Sequence, residues 1–201
     1  MADPEAIVAG IDYGSRSSGN TIMAWSLAGG NVSFFRPEKG LDADVAVFRV
    51  LTEMRPATVG IDAPLSLPGR YRDLPGCSDY FYRHCDRELK AMSPMFLGGL
   101  TARAMRLSDQ MRETGVFPVE VYPAQVADRL SLQDHGYRKA AGRITDCAEI
   151  LLRRAEFKFD PAELKTWHHV DALLALMAAL RVHQGLAVGY GKEEEGLIYG
   201  W

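Results

Sequence analysis

Cysteine is scarce in this chain. The three present, Cys77, Cys85 and Cys147, form an odd set without the spacing of a disulfide framework. Reduced thiols and a cytoplasmic setting are therefore expected. A zinc site built from Cys77, His84 and Cys85 lacks a fourth ligand and follows no common spacing. Long apolar runs are missing too. None reaches the ~20 residues of a membrane span, so no membrane partner is expected. Residues 1–5 are acidic and lack the basic and apolar parts of a secretion signal. Nor is there an excess of positive charge: 23 Lys and Arg stand against 26 Asp and Glu, for a net charge of −3. Non-specific nucleic-acid binding is not announced by such a balance and would need a local basic patch. Internal repeats and low-complexity linkers are also absent.

What the chain does have is enough apolar material for a core, 47% of 201 residues. The expected organisation is a single domain over residues 1–201 with an insertion at about 69–115. Ile7-Val8-Ala9-Gly10-Ile11-Asp12 is nearly all apolar, as a strand covered on both faces should be. Residues 21–27 and 32–35 read as two more strands, joined by the turn Ala28-Gly29-Gly30-Asn31. A helix capped by Asp42 or Asp44 runs to Met54 on the apolar spacing Val47, Val50, Leu51, Met54. Thr58-Val59-Gly60-Ile61-Asp62 then repeats the opening pattern. Because it follows a helix, it is expected parallel to the first strand through a right-handed crossover. Helices are expected at 79–92 and 100–114 within the insertion, a fifth strand at 117–122, and helices to about 130 and over 140–155. Asp160-Pro161-Ala162-Glu163 reads as the start of the last helix, which carries His168, Asp171 and the apolar run 172–180. Glu193-Glu194-Glu195 reads as a solvated turn.

The fold class expected is α/β: a ribonuclease H-like five-stranded mixed sheet, strands 1–3 antiparallel and strands 4 and 5 parallel to strand 1, flanked by helices. Asp12 and Asp62 would share the carboxyl edge of that sheet, where open α/β sheets bind ligands. A carboxylate at the end of a buried strand is costly unless paired. Asp12, Asp62 and Asp171, with Glu120 as a further candidate, form an oxygen-rich set suited to Mg²⁺ or Mn²⁺. Two such ions roughly 4 Å apart support phosphoryl chemistry. His168, three residues before Asp171 on the same helix face, is a candidate to position water or a proton. Arg83, Asp86 and Arg87 have two readings: a grip on phosphate or carboxylate, or an internal ion-pair network that fastens the insertion.

The chain resembles the domain of unknown function 429 family, described as ribonuclease H-like nucleases. The resemblance rests on Gly10-Ile11-Asp12, on Gly60-Ile61-Asp62-Ala63-Pro64-Leu65-Ser66-Leu67-Pro68, on Arg83-His84-Cys85-Asp86-Arg87-Glu88-Leu89, on Glu120-Val121-Tyr122-Pro123, and on Asp171-Ala172-Leu173-Leu174-Ala175. His168-x-x-Asp171-Ala172-Leu173 is also similar to the final helix of RuvC-type Holliday-junction resolvases, and the opening to the YqgF-type branch of that superfamily. These likenesses imply a nuclease in which Asp12, Asp62 and Asp171 bind metal. One departure is Asp62, where the resolvases typically carry the longer glutamate.

The function expected is thus a metal-dependent nuclease hydrolysing phosphodiesters at an acidic cluster, with DNA or RNA undecided and a homodimer left open. Two rivals stand beside it. One is a non-catalytic member of the fold that binds nucleic acid or a small ligand. The other is an actin-like nucleotide-dependent phosphotransferase, suggested by Asp12-x-Gly14-Ser15 but lacking a second phosphate loop and a glycine-rich adenosine site.

Overall fold

The structure, a computed structural model, describes residues 6–27 and 29–201. The acidic opening at 1–5 and Ala28 of the hairpin turn lie outside the described residues. Five strands form the main sheet: β1 (Ile7–Asp12), β2 (Ile22–Leu27), β3 (Ser33–Phe35), β4 (Thr58–Asp62) and β5 (Phe117–Glu120). Their order is β3-β2-β1-β4-β5. The first three pair antiparallel, and β4 and β5 run parallel to β1. This is the ribonuclease H-like arrangement.

Successive residues of a strand face opposite sides of a sheet, and the core follows that rule. Val8, Ile22 and Ala24 pack on one face with Leu173 and Leu176, while Ala9, Ile11 and Met23 pack on the other with Val47, Leu51 and Leu107. The second face is covered by α1 (Ala43–Met54) and α4 (Gly99–Glu113); the first is covered chiefly by α5 (Pro123–Arg129), α6 (Ile144–Arg154) and α7 (Trp167–His183). Asp42 caps α1 by accepting from the Asp44 and Val45 N–H groups. α7 is buried at every position from His169 to Leu180.

Two glycines bring α7 unusually close to the sheet. A Cβ on Gly10 would lie 2.0 Å from the Leu176 nitrogen, and one on Gly60 2.8 Å from the Ala175 oxygen. Only glycine leaves room for that approach. From Leu176, five residues back along α7 lead to Asp171, a rise of about 7.5 Å. From Gly10, two residues forward along β1 lead to Asp12, about 6.7 Å. The helix and the strand therefore deliver their acids to the same edge.

The segment between β4 and β5 differs from its sequence-based outline. Its helix over 79–92 shrinks to α2 (His84–Leu89), followed by α3 (Pro94–Leu97) and α4. Asp79 Oδ1 accepts from the N–H groups of Phe81 and Tyr82, a local turn that competes with helix. Arg83 is extended, and Asp86 caps its N–H. Asp160 does cap the Ala162 N–H, but only a single 3-10 turn, Pro161–Glu163, follows. The chain leaves it at Leu164, whose side chain is drawn into the core, and α7 begins at Trp167.

The tail is a hairpin, β6 (Val188–Lys192) and β7 (Gly196–Gly200). The acidic run is its turn, as the composition suggests, yet Glu195 is buried. It accepts from the N–H of Gly69 at 2.7 Å and of His84 at 2.7 Å. The hairpin thereby ties down the segment between β4 and β5, and a bridge from Tyr199 to Val121 joins it to the end of β5.

Candidate acidic site at the carboxyl edge of the sheet

Asp12 and Asp62 are direct register partners at the ends of the parallel strands β1 and β4, so their Cα atoms are about 4.8 Å apart. The two carboxylates have different surroundings. Asp12 is buried and lies 2.6 Å through Oδ2 from His168 Nδ1. With Nδ1 donating to the carboxylate, Nε2 is left without a hydrogen-bond partner among the described residues. This contact raises the His168 pKa; partial burial of the ring opposes the rise.

Asp62 is half-buried, and its carboxylate has no hydrogen-bond partner among the described residues. Its pKa is held well above the usual carboxylate range, first by lost hydration and then by repulsion from Asp12 and Asp171. Asp171 faces the pair from α7. Its Oδ1 accepts from the Tyr137 hydroxyl, and its Oδ2 accepts from Arg138 Nε at 3.0 Å and Nη2 at 2.6 Å. Burial pushes the Asp171 pKa up to about 6, against the pull of Arg138 and Tyr137. Arg138 holds its position with a left-handed backbone, φ +57°, a conformation that non-glycine residues adopt sparingly.

The remaining sequence candidates gather in a neighbouring cluster. Arg83 is fully buried, and all five of its N–H donors are spent. Nε and Nη2 donate to Asp86, Nη1 and Nη2 donate to the two oxygens of Glu120, and Nη1 also donates to Ser66 Oγ. Burial works against the guanidinium charge, but the bonds to Glu120 and Asp86 outweigh it and raise the pKa. Glu120 also accepts from the Leu65 N–H at 2.8 Å. In this arrangement Arg83, Asp86 and Glu120 satisfy one another and fasten the segment between β4 and β5 to the sheet. Arg87 lies at the surface, bonded to Asp79 at 2.7 Å and 3.8 Å above the Tyr82 ring.

Among the described residues no three His, Cys, Asp or Glu side chains form a ready-made metal-binding group. The donor set still suits a hard cation at one place. Asp12 and Asp62 are adjacent oxygen donors, and Asp62 is a partly desolvated carboxylate with no hydrogen-bond partner among the described residues, drawn only through space toward Arg138. Asp171 does not offer a free oxygen while Tyr137 and Arg138 hold it. Tyr137 and Arg138 carry no motif spacing in the sequence. The tertiary fold alone brings them to Asp171.

Next to Asp62 lies a cavity of about 260 Å³. Its lining includes the polar Asp62, Tyr122 and Arg138 and the apolar Met92, Leu97 and Leu100. The Tyr122 hydroxyl has no hydrogen-bond partner among the described residues. Tyr13, also lining the cavity, is fixed by donating to Asp44 at 2.6 Å, and Asp44 is in turn held by Arg103.

No family model and no curated protein matches this sequence. Among solved structures, a Thermus thermophilus RuvC structure is similar, with 20% identity and a TM-score of 0.48 over 90% of this chain and 97% of that one. A T. thermophilus RuvC in complex with a Holliday junction substrate is similar at 19% identity and a TM-score of 0.45, with the same coverage of both chains.

Proposed function

We propose that the chain is a metal-dependent nuclease whose centre is the Asp12–Asp62 pair. The observation that carries this reading is the pairing itself. Two carboxylates stand side by side at the carboxyl edge of the sheet, one oriented by a histidine and the other without a hydrogen-bond partner among the described residues. Repulsion between them is a standing cost to the fold, and a cation relieves it. Asp12 and Asp62 would hold Mg²⁺ or Mn²⁺, which would supply Lewis acidity toward a phosphoryl oxygen.

The chain's own groups do the rest. Asp12 fixes the His168 ring through Nδ1, so that Nε2 can take a proton from an attacking water. Asp12 thus has two roles, as oxygen donor and as orienter of the base. Arg138 beside Asp171 stands where it can stabilise charge on the phosphate. Asp171 acts through Arg138 and Tyr137 in this arrangement.

The test is cleavage of a panel of single-stranded, duplex, hybrid and branched substrates with Mn²⁺ or Mg²⁺, run beside metal titration. Wild type should cleave at least one class, and Asp12→Asn should lose both cleavage and metal affinity. A folded protein with neither metal affinity nor cleavage overturns the reading in favour of a non-catalytic binding role.

A further inference from the structure

The cavity beside Asp62 has a shape and chemistry that the acid pair does not require. At about 260 Å³ it falls just under the ~300–1,000 Å³ range of pockets for drug-sized ligands. It can hold one planar ring system and cannot hold a duplex. Its apolar wall of Met92, Leu97 and Leu100 offers the side-chain surface against which a flat ring packs. Met92 is 62% exposed, an apolar rim open to an incoming group.

Besides Asp62, two polar groups of the lining keep unspent hydrogen-bonding capacity among the described residues. The Tyr122 hydroxyl has no partner among the described residues. Arg138 gives Nε and Nη2 to Asp171, and no bond is made by its Nη1 among those residues. Asp86 and Glu120 also reach the cavity, but Arg83 has consumed both. An apolar slot with a few convergent polar groups on one edge is how proteins bind a base that has left its stack.

We infer that this cavity receives a single unpaired nucleobase, packed on Leu97 and Leu100 and read along its edge by Tyr122 and Arg138. The inference rests on the nuclease reading for its placement. Asp62 belongs both to the acid pair and to the cavity wall, so a base seated there lies next to the bond to be cut. The substrate class is therefore a strand with an unpaired nucleotide at the cleavage position, whether a single strand, a bulge or a branch point, and not continuous duplex.

The experiment is binding without turnover. In EDTA, full-length protein is titrated into an oligonucleotide duplex carrying one bulged 2-aminopurine, a fluorescent adenine analogue, and into the same duplex fully paired. The bulged form should bind about tenfold more tightly or better, in line with one base stacked on the protein, and its fluorescence should change on binding. Leu97→Trp, which fills the cavity, should erase that preference, and Met92→Trp, at an exposed position that spares the fold, should reduce it. Equal affinity for bulged and paired duplex overturns the inference, as does a preference that survives Leu97→Trp in a folded protein. Cleavage is scored separately with Mn²⁺. A base preference without cleavage leaves the cavity assignment standing and removes the nuclease reading. Cleavage with equal rates on paired and bulged substrate does the reverse.

Discussion

Folding raises the Asp62 pKa through the same burial and neighbouring carboxylates that make the site useful. A carboxyl whose pKa is raised by folding takes up a proton when the chain folds, so its contribution to stability falls as pH rises through the folded value. Asp171, at about 6, pulls the same way. Asp62→Asn should therefore stabilise the metal-free protein more at pH 8 than at pH 5. Thermal melts at the two pH values check this, with about 2–4 °C expected for each kcal/mol of relieved repulsion. An equal effect at both pH values would mean that the Asp62 charge is not what the variant removes. His168 gives a second residue-level test. Its pKa is raised chiefly by the hydrogen bond to Asp12, so Asp12→Asn should lower its titration midpoint, read from the ring Cε1–H resonance by NMR. His168→Ala should lower cleavage by roughly 10²–10⁴-fold, the usual worth of a positioned base, without shifting the melting temperature by more than a few degrees.

At the level of elements, the segment between β4 and β5 hangs on Arg83. Its five donors and the carboxylates of Asp86 and Glu120 form a closed account, and removing the cation strands two buried anions. Arg83→Met should destabilise by about 3–5 kcal/mol, as breaking buried pairs does. Arg83→Lys should recover little, since three donors on a flexible stem cannot serve the planar set. Urea denaturation of both variants checks this, and near-wild-type stability of Arg83→Met would show that the network is dispensable. This dependence explains what the sequence could and could not disclose. β1, β4 and α7 were legible because apolar period and burial agree locally. The acid ends of β1 and β4 were legible because the same short pattern occurs twice. The 79–92 helix was overestimated because apolar spacing cannot reveal that Asp79 closes a turn and Arg83 lies extended. Glu195 was read as solvated because its partners, Gly69 and His84, are 126 and 111 residues away. Tyr137 and Arg138 were missed for the same reason, since their meaning depends on Asp171 across the fold.

For the whole molecule, a cation bound only by the folded state adds stability by mass action. At a concentration 100 times its Kd the gain is about 2.7 kcal/mol. Mn²⁺ should then raise the melting temperature by roughly 5–10 °C at pH 8, less at pH 6, where protons compete with the cation for the carboxylates, and not at all in Asp12→Asn. Calorimetric scans with and without EDTA measure it, and a shift that persists in Asp12→Asn would place the cation elsewhere. The clamp formed by Glu195 has a further effect, on the order in which the molecule is made. Ribosomes add about 5–20 residues per second. The chain from Gly69 to Glu195, 126 residues apart, thus takes roughly 6–25 s to synthesise. For most of that interval a nascent chain carries Asp12 and Asp62 without the Asp171 helix, and until its end it lacks the Glu195 carboxylate that pins Gly69 and His84. The clamp on Gly69 and His84 thus becomes possible only after both acid-bearing strand ends and the Asp171 helix have been made.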